Sequence, residues 1–517
     1  MAHWSVWCFA IVLGVSVDGQ GQANWNWDQK TSLDNYVYRD DPSYTFSLTE
    51  TRRYDSNDDT IEDTTIYYLN MTSQTWKTNR ESSRPVWVHQ LMVTVPDNVN
   101  VFDTAFLFIG AGMNDEPELP DPETSNLLDG AARVSQRTQM VGAYLMQVPQ
   151  QPVTLPKSSR PDLERVEDSI IAWTWREYIE GNATDPELLL YYPMVKASVR
   201  AMDTIANFTM TQDQRFNITK FFTAGASKRG WTTWLVAAVD QRVIGAVPQV
   251  FSVLKLVETV NYHYRAYGGW AWAFGPYWDE NITQYLQDPR TQDMANLIDP
   301  YSYRSRLTVP MMIIQTTADE FFRPDEPGFW YHDLTQPKWI WMLVDSNHAM
   351  IGYWDEIFAN MGNFFLGILQ NYQLPSFSWT KETTATSASI TMTTPTEPSA
   401  VRCWYGETAD GPNGAVRRDF RWLVRGPEDG DIDINEVFWS EATPLNFQEV
   451  EEGRMWRCGF DAPEAGWLGF FIEMEYDFPG NDVPPEVLKF STELHVTPNT
   501  WPFPQCGGPS ECWGRIV

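Results

Sequence analysis

Phe221-Phe222-Thr223-Ala224-Gly225-Ala226-Ser227-Lys228-Arg229-Gly230-Trp231 decides the reading of this chain. It starts apolar and β-prone, passes through small residues to a serine, and becomes helical from Trp231 to Ala238. A strand, a tight turn and a helix with serine at the bend form a nucleophile elbow, which presents the hydroxyl at the carboxyl end of a parallel strand. Strand and helix nearly collide there, so the neighbours must be small, as Gly225 and Ala226 are. The spacing is G-x-S-x-x-G, because Arg229 stands where the general motif has glycine and Gly230 follows it. A serine between small residues also serves as an ordinary helix N-cap, so the surrounding chain must decide.

The strands around the elbow support it. Thr104–Ile109 is a continuous apolar run of the kind a buried parallel strand needs, and it ends in the small loop Gly110-Ala111-Gly112-Met113. Such a loop supplies backbone N–H groups that can approach an oxyanion without interference from side chains. Val141–Val148 reads as a strand, Asp168–Trp175 and Leu188–Ile205 as helices, and Val243–Pro248 as the next strand. This alternation predicts an α/β fold with a doubly wound, mostly parallel sheet. Antiparallel strands rich in β-branched and aromatic residues lead into it between residues 35 and 112, and His89 sits inside one of them as a structural residue.

Val309–Ala318 is a further buried strand with Asp319-Glu320 at its end, followed by a helix; Trp339–Val344 is the last strand and ends at Asp345-Ser346-Asn347-His348. Ser227, Asp319 and His348 therefore fall in the chain order of an α/β-hydrolase triad, each just past a strand. Serine is a weak nucleophile until an imidazole takes its proton, and the imidazole needs a carboxylate to fix its tautomer. Glu320 and Asp325 are the reserve acids. His263 lies in the wrong chain order for the base. The oxyanion donors are the N–H of Lys228 and one from the loop of Ala111 and Gly112. Residues 252–300 form the expected cap; its aromatic density suits a pocket wall, with Tyr264, Trp270 and Trp272, together with Arg229, as substrate-binding candidates. Arg229 has an alternative role as the partner of a buried carboxylate.

After Tyr372 the pattern changes to short strands between turn residues, which predicts a small C-terminal β-sandwich over 376–498 after the hydrolase unit of 34–375. A Cys-containing tail, 499–517, closes the chain. Met1–Val17 is apolar but short for a membrane span, and reads as a signal peptide ending at residue 19. Cys403, Cys458, Cys506 and Cys512 remain after it, an even number that implies two disulfides; three pairings are open, with Cys403–Cys458 and Cys506–Cys512 the expected ones. The sequons at Asn70, Asn182, Asn207, Asn217 and Asn281 agree with a secreted, extracellular glycoprotein. The balance of 37 basic against 68 acidic residues, a net −31, argues against nucleic acid and anionic membrane as partners, and no later stretch inserts into a membrane. The 25 tryptophans suit cores, pocket walls and sugar contacts alike. No metal or cofactor motif is present, so no cofactor is expected.

Gly225-Ala226-Ser227-Lys228-Arg229-Gly230-Trp231-Thr232-Thr233-Trp234, with Val239-Asp240-Gln241-Arg242-Val243 and Asp319-Glu320-Phe321-Phe322, resembles the PhoPQ-activated pathogenicity-related family over roughly residues 34–490. The resemblance implies an α/β-hydrolase related to serine peptidases, with its triad on Ser227, Asp319 and His348. Arg229 is part of that family's elbow. The first expectation is a secreted serine hydrolase, peptidase- or esterase-like, taking a small-molecule or peptide substrate. The alternative is a secreted signal that represses proliferation through a cell-surface receptor, using the hydrolase scaffold without catalysis.

Overall fold

The structure, a computed structural model, describes residues 30–517 except 57–62, 116–117, 409–415, 427–430, 436, 443–444 and 480–485. The expected signal peptide lies outside the described residues. The first nine strands are β1 Thr45–Tyr54, β2 Thr64–Thr75, β3 Val86–Pro96, β4 Thr104–Ile109, β5 Val141–Leu145, β6 Lys220–Ala226, β7 Val243–Gln249, β8 Met311–Thr316 and β9 Lys338–Leu343. They lie side by side in the order β1-β2-β3-β5-β4-β6-β7-β8-β9. From β5 to β9 every pairing is parallel, while β1, β2 and β3 join antiparallel at one side. This is the α/β-hydrolase fold.

Side-chain alternation along each central strand builds two cores, one on each face of the sheet. From β4, Ala105, Leu107 and Ile109 enter the core that also holds helices α4 (Tyr191–Gln212) and α5 (Lys228–Val239). Phe106 and Phe108 enter the other, against α2 (Asn126–Thr138) and α9 (Trp354–Leu369). Because β4 is covered on both faces, all six of its residues are buried, and that is why its sequence reads as an unbroken apolar run.

The C-terminal strands form two antiparallel layers. The strands Val487–Ser491, Leu468–Asp477 and Ala400–Glu407 continue the main sheet beyond β9, joined through Ser491 beside Ile340. The second layer pairs Ser378–Thr383, Ser387–Thr394, Gly453–Asp461 and Phe447–Val450. Ile390, Met392 and Trp456 of this layer pack against Phe470 and Ile472 of the first, and the Cys403–Cys458 disulfide ties the layers together. The second disulfide is Cys506–Cys512.

One expectation is corrected. The helix foreseen after Asp319 is absent; two short 3-10 turns, Glu326–Phe329 and Tyr331–Asp333, stand in its place. Pro324 and Pro327 explain this, since proline lacks an N–H and pushes the preceding residue out of the α region.

Candidate active site

Ser227 sits between the last residue of β6 and the first of α5, with φ 58° and ψ −124°. A non-glycine residue in this region stores roughly 1–3 kcal/mol of strain. The surroundings over-determine it: the Ser227 N–H donates to Gln249 O at 2.9 Å, and its carbonyl accepts from Trp231 N at 2.9 Å. Both glycines of the motif are sterically required. A Cβ on Gly225 would lie 2.8 Å from Arg229 O and 2.9 Å from Ile109 O; one on Gly230 would lie 2.6 Å from Gln249 O. Gly230 thus allows the close helix–strand approach, and position 229 is free to carry a long side chain.

That side chain turns away from the hydroxyl. Arg229 is buried; its Nη1 and Nη2 donate to the two Glu167 carboxylate oxygens at 2.7 and 2.6 Å, and its Nε donates to Val148 O at 2.5 Å. Burial raises the Glu167 carboxyl, but Arg229 and Lys228 outweigh it and hold the group well below its ordinary range. Arg229 is a strut beneath the elbow, not a substrate contact.

The other two triad positions converge on the hydroxyl. His348 Nε2 is 2.8 Å from Ser227 Oγ, and His348 Nδ1 is 2.8 and 3.0 Å from the two oxygens of Asp319. Asp319 is 2% exposed and also accepts the N–H groups of Phe321 and Phe322, so its orientation is fixed from two sides. Glu320 accepts the His348 backbone N–H at 3.0 Å. Burial, with the neighbouring Asp319 charge, pushes its carboxyl up to about 7. Asp325, the other reserve acid, pairs with Arg418 and Arg323 away from the imidazole.

The Lys228 N–H is the first amide of α5, a position with no intrahelical acceptor. The Gly110 loop leaves the end of β4 beside β6, with Ile109 paired to Gly225. Gly110 N–H is spent on Leu145 O, whereas the N–H groups of Ala111 and Gly112 have no acceptor among the described residues. Donors are therefore available from both loops expected to supply them.

A cavity opens beside Ser227, roofed by the segment between β7 and β8, which is helical at α6 (Leu256–Tyr267), α7 (Gly275–Asp279) and α8 (Pro289–Ile298). Trp270 lines it. Tyr264 and Trp272 do not: the Tyr264 hydroxyl donates to Glu511 O, and Trp272 Nε1 donates to Leu423 O beside a separate surface groove. Both cap rings are turned outward to hold the C-terminal segments. His263 is buried and its Nε2 accepts the Ala271 N–H, a packing role.

Three features escaped the sequence reading. Glu167 and Asp168 start α3 (Asp168–Glu180) and neutralise Arg229 and Lys228; their acid-acid pair before an apolar helix resembled a routine N-terminus. Phe321 and Phe322 pack on the His348 ring and line the cavity. The C-terminal part braces the loops that carry Asp319 and His348: Trp422 N–H donates to Ala318 O, and Trp439 N–H to Asp345. Nothing local in the sequence marks these long-range contacts.

Comparison with known proteins places the chain. It is 33% identical over 494 residues to autocrine proliferation repressor protein A of Dictyostelium discoideum, covering 93% of each chain. Among solved structures it is similar to an acetyl xylan esterase from Paenibacillus sp. R4, with TM-score 0.44 and 14% identity over 64% of this chain and 92% of that one. It is also similar to acetyl xylan esterase 1 from Thermoanaerobacterium sp., with TM-score 0.40 and 15% identity over 64% and 93%. The family model for the PhoPQ-activated pathogenicity-related protein matches residues 33–421, and the chain belongs to that family.

Proposed function

We propose that the protein is a secreted serine hydrolase acting on an ester or peptide bond. The observation that carries the reading is the unbroken relay from Asp319 through His348 to the Ser227 hydroxyl. His348 Nε2 takes the Ser227 proton as Oγ attacks the carbonyl carbon, then gives it to the leaving group. Asp319 holds the imidazole with Nδ1–H towards itself and stabilises the cation. The N–H of Lys228 and one from Ala111 or Gly112 receive the oxyanion. A water then attacks the acyl-serine by the same route, releasing the acid.

Secretion is supported by the apolar N-terminus, the paired cysteines and the positions of the sequons: Asn70, Asn182, Asn207 and Asn217 are exposed and Asn281 is half-buried. These surface asparagines are open to glycosylation. The similarity to the proliferation repressor favours a second reading, a secreted signal in which catalysis is dispensable. A fluorophosphonate probe separates the two. Labelling of the wild type but not of Ser227→Ala supports the hydrolase. If neither protein labels while both still restrain cell growth, the signalling reading replaces it.

A further inference from the structure

The cavity beside Ser227 has a volume of about 80 Å³, room for about six waters or a short chain in their place. Phe321 and Phe322 line it and contact the His348 ring. Its cap side is apolar, with Val257, Val260, Leu286 and Met294 beside the rings of Trp270 and Phe274.

Two charged side chains border it, Asp168 and Lys228, and they cancel. Lys228 Nζ lies 2.7 Å from Asp168 Oδ2, and the Tyr277 hydroxyl donates to Oδ1 at 2.8 Å. The adjacent Glu167 is already held by Arg229 and lies 3.3 Å from Lys228. A substrate amine would need a carboxylate without a cation. A substrate carboxylate would need a cation without a carboxylate. Either would have to displace one member of the Lys228–Asp168 pair, which is unfavourable at so little exposure.

We infer that the chamber is an acyl pocket, and that the substrate is an uncharged ester whose acyl part is an aliphatic chain longer than butyryl. This rests on the hydrolase reading of Ser227. The Ser227 Oγ bonds to the ester carbonyl carbon while its proton passes to His348. The ester C–O bond breaks and the alcohol departs with that proton. Water then adds to the acyl carbon, losing a proton to His348; the Oγ–C bond breaks, the fatty acid leaves, and Ser227 regains its proton.

The test is a series of p-nitrophenyl esters from acetate to decanoate on the full-length secreted protein, run beside a fluorophosphonate and a dipeptide p-nitroanilide with a free amino terminus. kcat/KM should rise about two- to fourfold per added methylene, beyond butyrate, until the chamber is full. Leu286→Trp and, independently, Val260→Phe should move the optimum to shorter chains. If Ser227 labels but acetate or the dipeptide is preferred, the acyl-pocket assignment is overturned and the hydrolase stands. If Ser227 does not label and no ester turns over, both fall.

Discussion

Replacing Arg229 by methionine keeps much of the side chain's bulk and removes its cation. In the native protein Arg229 is 5% exposed and bridges both Glu167 oxygens to the Val148 carbonyl. The variant leaves Glu167 with Gln151 Nε2 at 2.6 Å and Lys228 Nζ at 3.3 Å. Breaking a buried pair costs about 3–5 kcal/mol. Glu167 keeps 29% of its side chain exposed and retains those two partners, which brings the expected loss to about 2–3 kcal/mol. Glu167→Gln should lose a comparable amount. If the pair acts as one unit, the double variant should be scarcely worse than either single one, with a coupling of about 2 kcal/mol. Urea unfolding followed by circular dichroism reads all four corners of the cycle, with the slope unchanged. Because Arg229 does not line the cavity, KM of the folded variant for esters should stay near that of the wild type. A loss below about 0.5 kcal/mol, strict additivity, or a large rise in KM alone would refute the strut assignment.

Ser227→Gly relieves the positive φ of the elbow and should gain about 1 kcal/mol in urea unfolding while abolishing probe labelling; a loss of stability would count against stored strain. Burial pushes Glu320 up to about 7 in the folded state against 4.5 for an ordinary glutamate, so the folded state holds a proton that the unfolded chain has lost between those pH values. The stability this group contributes is present below about pH 4.5 and fades as pH rises through about 7. Glu320→Gln should therefore lose about 2.5 kcal/mol less than the wild type between about pH 5 and about pH 8, and parallel pH profiles would contradict this. The Cys506–Cys512 disulfide closes a short loop that holds Trp270 through the Cys512 and Trp513 carbonyls. Cys506→Ser with Cys512→Ser should cost about 2 kcal/mol and speed proteolysis of the tail; unchanged proteolysis would show that the disulfide does not secure it.

The legible parts of this protein were those where local chemistry is constrained on every side. Thr104–Ile109 is covered on both faces and reads as a strand without ambiguity. Gly225 and Gly230 sit where any Cβ collides with backbone, so the elbow is written in the sequence around Ser227. Asp319 and His348 were legible as candidates because chain order limits which strand ends can meet the serine. The pocket was harder to read: Tyr264, Trp270 and Trp272 look alike in the chain, and only packing against the C-terminal tail decides that Trp270 faces inward. Arg229 leaves two roles open in the sequence, and Glu167, brought beside it only by the fold, decides between them. The turns after Asp319 were read as a helix, although Pro324 and Pro327 stand in that stretch and break one.

The central claim is that His348 activates Ser227 across 2.8 Å. Its most direct test is the rate at which a fluorophosphonate modifies the protein, with the adduct located by mass spectrometry, in the wild type and in His348→Ala. The account predicts a single adduct on Ser227 in the wild type and a rate lower by about a thousandfold or more without the imidazole. An adduct on another residue, or an equal rate in the two proteins, would contradict it.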